Sequence, residues 1–309
     1  MNGQLILTVD VGNTSTHFGL FEVGAGEHSS TAATGNGAGN GRASVGEPRA
    51  LATCELTTPA HLTADEARIQ LRQILAEFAE KCAKDETAES TEALPPNTTE
   101  HSGAANLGVR GTILSCVVPS LTGAWRMALS RTCQTRPLVV GPGLKTGVPM
   151  RYDDPSEVGP DRMADAVAAR AEYGAPAVVI DLGTTTNFGV IDKTGAFAGG
   201  IIAPGVALGA RSLSAATARL PMVELRAPAH VIGRSTQAAI QSGVVLGEAA
   251  RIDGLLSALL DELNCGQDVP LVMTGTDARR MARLLAHEVV VDDALTLRGL
   301  ALIWLANQR

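Results

Sequence analysis

The stretch that decides the fold runs from Leu5 to Phe21, LILTVDVGNTSTHFGLF. Leu5–Val9 is a short apolar run closed by Asp10, the pattern of a buried strand. Gly12, Asn13 and Thr14 supply a tight polar turn, and Thr16–Phe21 resumes a strand-like run. The reading is strand, turn, strand, with an acid at the tip of the first strand. It is not a P-loop, which needs a Lys-Ser/Thr ending and a helix behind it, nor a GxGxxG turn opening a helix. The backbone N–H groups of such a hairpin, with the Asn13 and Thr14 side chains, can face a phosphate, and Asp10 beside them can hold Mg2+ through water. Taken alone, the same residues also make an ordinary hairpin.

The design returns at Ala177–Asp192, AVVIDLGTTTNFGVID: an apolar strand, Asp181, then Gly183, Thr184, Thr185 and Thr186, then a second strand. Two such hairpins, one per half, imply a duplicated α/β fold. At 309 residues the chain is long enough for two domains. The boundary is expected near Gly141-Pro142-Gly143, giving domains over 1–142 and 143–309. Two stretches poor in apolar residues, near 22–50 and 84–107, read as flexible insertions.

Aromatic residues make up only 3% of the chain against 45% hydrophobic residues, so the core must be built from Ala, Val, Leu and Ile. The net charge of -7, from 25 basic and 32 acidic residues with no basic patch, argues against nucleic acid and anionic membrane surfaces as partners. Five scattered cysteines without a CxxC pair give no zinc or disulfide pattern. No apolar run reaches spanning length and none forms a signal core, so a cytoplasmic protein is expected.

The spacing predicts a helix over Ala64–Lys81, with Ala67, Leu71, Ile74, Leu75 and Phe78 on one stripe. Val109–Ser120 reads as a buried strand feeding a helix, and Leu213–Leu220 as a helix closed by Pro221. In Arg151–Gly174, RYDDPSEVGPDRMADAVAARAEYG, Pro160 suits a first helical turn, Met163, Ala166, Val167 and Ala171 form the buried stripe, and Gly174 ends it. Asp161 and Arg162 then sit on the first turn, where the helix dipole favours the charged form of an acid. Arg162 can also pair simply with Glu157 or Asp165.

Taken in order, DVGNTSTHFGLF at 10–21, SCVVPS at 115–120, YDDPSEVGPDRMADAVAA at 152–169, IDLGTTTNFGVID at 180–192, FAGGIIAPGV at 197–206, IGRSTQAAIQSGVVLG at 232–247, MTGTDA at 273–278 and LTLRGL at 295–300 resemble the type III pantothenate kinases. These belong to the superfamily of acetate and sugar kinases, actin and the heat-shock chaperone ATPases. The resemblance implies duplicated actin-like (ribonuclease H-like) domains, each a mixed sheet with flanking helices. It implies transfer of the ATP γ-phosphoryl group to pantothenate, the first step of coenzyme A synthesis. By that resemblance Asp10, Val11, Gly12, Asn13, Thr14, Ser15, Thr16 and His17 form the first phosphate loop, with Asp10 organising Mg2+. Thr184 touches ATP, and Asp181 matches a monovalent-cation ligand for K+ or NH4+. Tyr152, Gly159, Pro160, Asp161, Arg162 and Thr236 match the pantothenate site, with Asp161 as catalytic base. A homodimer is implied, with the pocket near the subunit interface, so that Thr236 or Tyr152 can act across it.

Two departures from the family pattern stand out. Many members read DFGTATTFD where this chain reads DLGTTTNFG, so Asn187 stands for a Thr and Gly189 for an Asp. Thr276 replaces the second Gly of the usual TGG, where a Cβ could crowd a nucleotide. These features are what a non-catalytic accessory relative would show. Retention of Asp10, Asp161, Arg162, Asp181 and Thr236 is what an active kinase would show.

Overall fold

Strands β1 (Gln4–Val11) and β2 (Ser15–Val23) form an antiparallel hairpin whose register runs from Gln4 opposite Val23 to Val11 opposite Thr16. It opens a computed structural model that describes residues 3–24, 47–89, 107–265 and 268–308. Strand β3 (Arg49–Thr57) adds antiparallel to β2, β4 (Val109–Cys116) adds parallel to β1, and β5 (Leu138–Val139) follows β4. Alternation sends Leu7, Val9 and Val11 of β1 to one face. There they meet Leu71 and Phe78 of α1 (Ala64–Glu89) and Leu121 and Trp125 of α2 (Pro119–Cys133). Phe18 lies edge-on to Trp125 at 5.3 Å in a core that is otherwise aliphatic apart from Phe78.

The expected stripe of α1 is buried, but the helix runs past Lys81 to Glu89. The residues after Lys81 contain no Gly or Pro before Pro95, so nothing there breaks the helix. Most of the two segments read as insertions, 25–46 and 90–106, lies outside the described residues.

In the second half, β6 (Ala177–Leu182), β7 (Thr185–Ile191) and β8 (Phe197–Pro204) pair antiparallel in turn. Strands β9 (Leu271–Gly275) and β10 (Val290–Val291) add in parallel beyond β6. The sheet orders are β3-β2-β1-β4-β5 and, read from the matching edge, β8-β7-β6-β9-β10. Position for position these are the same topology, so the repeated hairpin marks a repeated domain. The compact units are Met1–Gly141 with Leu300–Arg309, and Pro142–Gly299.

Val178, Ile180 and Leu182 of β6 face Ala249, Ile252 and Leu256 of α6 (Gly247–Leu263). The other face of β6, with Val179 and Asp181, looks toward α3 (Pro160–Tyr173). Helix α3 departs from its expected single stripe. Ala164, Ala168 and Ala169 are buried as well, while Ala171 is exposed. The cause is a second neighbour, the start of α8 (Leu295–Ala306): Gly299 sits against the Ala164 backbone, and the Thr296 hydroxyl donates to Asp165 Oδ1 at 2.6 Å. Small side chains let α3 be enclosed on both sides.

Helix α4 (Val206–Ala216) also begins earlier than the expected Leu213, directly after Gly205, and ends at an extended Thr217 whose hydroxyl donates to Leu213 O. Short α5 (Thr236–Gln241) passes through a π turn, Ser242–Leu246, into α6, and α7 (Ala278–Ala282) follows β9.

Removing one fully buried ring should test the first core. Phe78→Ala is expected to lower unfolding free energy by about 3–5 kcal/mol in urea denaturation, because the cavity opens beneath both helices.

Candidate active site

The first hairpin turn is held by local hydrogen bonds. Gly12 N–H donates to Ser15 O at 2.9 Å, and Thr58 N–H donates to Thr14 O at 2.8 Å. Thr16 and Thr58 hydroxyls share a 2.8 Å hydrogen bond, and Ser15 Oγ lies 2.9 Å from His17 Nε2. Burial pushes the His17 imidazole below its usual pKa against the opposing pull of Glu55, so the ring is neutral near pH 7. Asp10 is buried at the end of β1, in register with His17 on one side and Ser115 on the other. The run Asp10–His17 is thus gathered into one rigid turn.

The second hairpin repeats the turn with a different brace. Gly183 N–H donates to Thr185 O, and Gly205 N–H reaches across to Thr184 O, both at 3.0 Å. Thr186 donates its hydroxyl to buried Glu248 at 2.6 Å, Glu248 pairs with Arg251, and Arg251 donates to Pro204 O at 2.6 Å. Asp181 lies opposite Asn187 and Thr274 in the sheet. Beside this turn is a groove of about 320 Å3, lined among others by Gly205, Gly209, Val244 and Arg251.

The start of α3 brings Gly159, Pro160, Asp161 and Arg162 together with Tyr152. A Cβ at Gly159 would lie 2.4 Å from Asp161 Oδ1, so a larger residue there would require the carboxylate to move. Asp161 Oδ1 accepts the Arg162 backbone N–H at 2.8 Å. Burial raises the Asp161 pKa, and the Arg162 N–H and guanidinium charge pull it back less. This reverses the expectation from the helix dipole, which desolvation outweighs here.

Arg162 is only 7% exposed. Its guanidinium carbon lies 5.4 Å from the Phe197 ring centre and 5.9 Å from that of Tyr152. Its Nε and Nη2 are buried without a hydrogen-bond partner among the described residues. Glu157 forms no ion pair with it among those residues. It borders a cavity of about 10 Å3, the space of one water, with Asp165, Asp181, Asn187 and Gly189. Gly200 of β8 passes so closely that a Cβ would meet Phe188 O at 1.7 Å and Arg162 Nη2 at 3.1 Å. Gly200 therefore lets β8 pass against β7 and the guanidinium, whereas Gly199, where a Cβ would meet nothing within 4 Å, has a left-handed backbone (φ 128°).

Thr236 is exposed at the first turn of α5, whose cap is the neighbouring Ser235. Thr276 is exposed, and the left-handed backbone falls on Gly275 (φ 99°), so the Cβ of Thr276 meets no such restriction. Phe197, Glu248, Arg251 and Ser115 were not singled out by the sequence. Burial of a Glu with an Arg three residues on, in GEAAR, was the available signal for the brace.

Two sheets of one topology, each opening on an acid-tipped hairpin, define the actin-like class. The profile of the type III pantothenate kinase family matches residues 6–258. A Koribacter versatilis protein named type III pantothenate kinase is 35% identical over 305 residues, covering 98% of this chain and 96% of that one. A Brevibacillus brevis protein of the same name is 41% identical over 213 residues, covering 67% and 81%. The chain belongs to the type III pantothenate kinase family.

The raised Asp161 pKa has a signed consequence. Between the ordinary value of 3.8 and the raised folded value, the folded state holds the proton more tightly. Stability therefore falls as pH rises through that window and is flat above it. Asp161→Asn should melt higher than the parent at about pH 7.5, with the gap closing as pH falls toward about 4. Scanning calorimetry across pH checks this, and parallel melting curves at every pH would contradict it.

Proposed function

We propose that this chain phosphorylates the primary hydroxyl of pantothenate with ATP, giving 4'-phosphopantothenate, through the residues gathered in its two hairpins and at the start of α3. The observation that carries the reading is Arg162. A buried guanidinium with two unfilled donor nitrogens, one residue from a half-buried carboxylate, is built to receive an anion beside a base. Pantothenate offers a carboxylate and hydroxyls, and family membership supplies the substrate class.

In this reading Arg162 binds the carboxylate or a hydroxyl in planar geometry, with Tyr152 and Phe197 walling the site. Asp161 accepts a hydrogen bond from the attacking hydroxyl and takes its proton late. Its raised pKa suits that role better than an ordinary carboxylate would. Phosphoryl transfer passes through a loose transition state, so positioning and charge neutralisation dominate. The N–H groups and hydroxyls of Gly12–His17 and Thr184 face the phosphates. The groove of about 320 Å3 beside Thr184 leaves room for the nucleoside end of ATP.

The buried Asp10 carboxylate fits Mg2+ held through water, and Asp181, flanked by Asn187 and Thr274, offers oxygens suited to K+ or NH4+. Those cations supply positive charge where the chain has no P-loop lysine. Tyr152 packs on Arg162 and Phe197 of its own chain, which leaves Thr236 to act across the interface of a proposed homodimer, a reading supported by exposed apolar residues in the second unit: Ile202, Met222, Val231 and Ile232. Among the described residues no helix is long and apolar enough to cross a membrane, and a cytoplasmic enzyme without nucleic-acid or membrane partners is proposed. The accessory reading gains nothing from Thr276, which is exposed, or from Gly189, where a Cβ would find ordinary contacts.

Purified protein with ATP and Mg2+ is expected to form ADP in proportion to added pantothenate, with turnover raised by K+ or NH4+. No pantothenate-dependent turnover under those conditions would overturn the proposal. Arg162→Met should raise the KM for pantothenate about ten- to a hundredfold, the loss of one or two charge-assisted hydrogen bonds, while the KM for ATP changes little. Steady-state kinetics in both substrates checks the split.

A further inference from the structure

The strand that pairs with β1 carries a second polar side chain next to Asp10. Parallel register sets Val9 against Leu114, Asp10 against Ser115 and Val11 against Cys116. The Val117 N–H continues the pairing by donating to Val11 O at 3.0 Å. Val9 and Leu114 both belong to the core under α1 and α2. Alternation therefore turns Asp10 and Ser115 together to the opposite face. Adjacent strands lie about 4.8 Å apart, so the hydroxyl and the carboxylate are within reach of a direct hydrogen bond after a rotamer change.

Ser115 is fully buried at 0% exposure, yet its Oγ has no hydrogen-bond partner among the described residues. The contrast on the same face is Thr8, also fully buried, whose hydroxyl donates to Gly19 O at 3.2 Å. Threonine 8 is satisfied within the sheet and Ser115 is not. A buried hydroxyl without a partner disfavours the fold, so its presence at this position needs a reason outside the sheet. Among the described residues no group of three or more His, Cys, Asp and Glu could hold a metal. A divalent ion at this hairpin would thus depend on the Asp10 carboxylate, water and phosphate oxygens. With so few protein ligands, the orientation of that carboxylate matters more.

We propose that Ser115 is a positioning residue for Asp10, its hydroxyl donating to the Asp10 carboxylate and fixing one rotamer toward hydrated Mg2+ when the magnesium nucleotide is bound. The inference rests on the phosphoryl-transfer reading above and adds a residue to it. No bond is made or broken at Ser115, and the reacting atoms do not touch it.

Ser115→Ala tests this by three measurements. The metal-free variant should melt at or above the parent temperature, because an unsatisfied hydroxyl has been removed. Calorimetric affinity for ATP in EDTA should be unchanged, while affinity for ATP with Mg2+ falls. The Mg2+ concentration for half-maximal turnover should rise about tenfold, with the KM for pantothenate unchanged. Ser115→Cys keeps the volume while replacing the hydroxyl, and should raise the Mg2+ requirement likewise.

An unchanged Mg2+ requirement in Ser115→Ala overturns the proposal. So does a lower melting temperature, which would make the hydroxyl a structural group, or a normal requirement in Ser115→Cys, which would make packing the cause. If the parent itself shows no pantothenate turnover, the kinase reading fails separately. The comparison of ATP binding with and without Mg2+ still decides the role of Ser115.

Discussion

A guanidinium buried with donors to spare sets the terms for the second unit. Withdrawing a cation from water without a partner is strongly unfavourable, so a fold keeps one only where its surroundings soften the loss or a ligand repairs it. Around Arg162 the softening is visible. Two aromatic faces lie within 6 Å of the guanidinium carbon, at 5.4 and 5.9 Å. Gly200, where a Cβ would meet the Phe188 carbonyl and Arg162 Nη2, lets β8 pass close to the side chain, and the strand shifts register nearby. Alanines along α3 let the helix approach both the sheet and α8 closely enough to exclude water. Each of these sequence choices costs something locally, through lost side-chain burial or backbone freedom, and together they hold one charged group where an anion can find it.

The same enclosure explains the behaviour of Asp161. Its position on the first helical turn favours the ionised form, and so does the neighbouring guanidinium. Burial opposes both and prevails. One constraint therefore prepares both halves of the acceptor chemistry: it leaves Arg162 short of partners and Asp161 short of water. A site assembled on an exposed helix end would have had a weaker base and a satisfied arginine.

The sequence made the hairpins legible because everything that specifies them is local. A short apolar run, an acid and a Gly-centred turn need no distant partner to be recognised, and their repetition at Asp10 and Asp181 carried the duplicated sheet order with it. The start of α3 was legible for the same reason, through Pro160 and Gly174. What escaped depended on residues far along the chain. The full enclosure of α3 comes from Thr296 and Gly299, more than 130 positions beyond Asp165 and Ala164. No periodicity within α3 could reveal it. Likewise Glu248 and Ser115 owe their significance to the strands that happen to lie beside them.

Duplication gave two hairpins of one shape, but their supports have diverged. The first turn is tied by neutral hydroxyl and backbone hydrogen bonds through Ser15, Thr16 and Thr58. The second is tied through a buried carboxylate, from Thr186 to Glu248 to Arg251 and on to Pro204. Neutral hydrogen bonds each contribute about 1 kcal/mol, whereas a hydrogen bond to a charged group contributes about 1.5–3 kcal/mol. The second turn is thus tied by a stronger kind of bond, and the chain of contacts reaches the same Pro204-Gly205 corner whose N–H holds Thr184. An acidic chain with no lysine in either loop must neutralise phosphate charge with backbone dipoles and bound cations. Fixed dipoles serve that purpose only if they do not reorganise when the charge arrives, and a buried carboxylate hydrogen-bonded behind the loop is a direct way to prevent it.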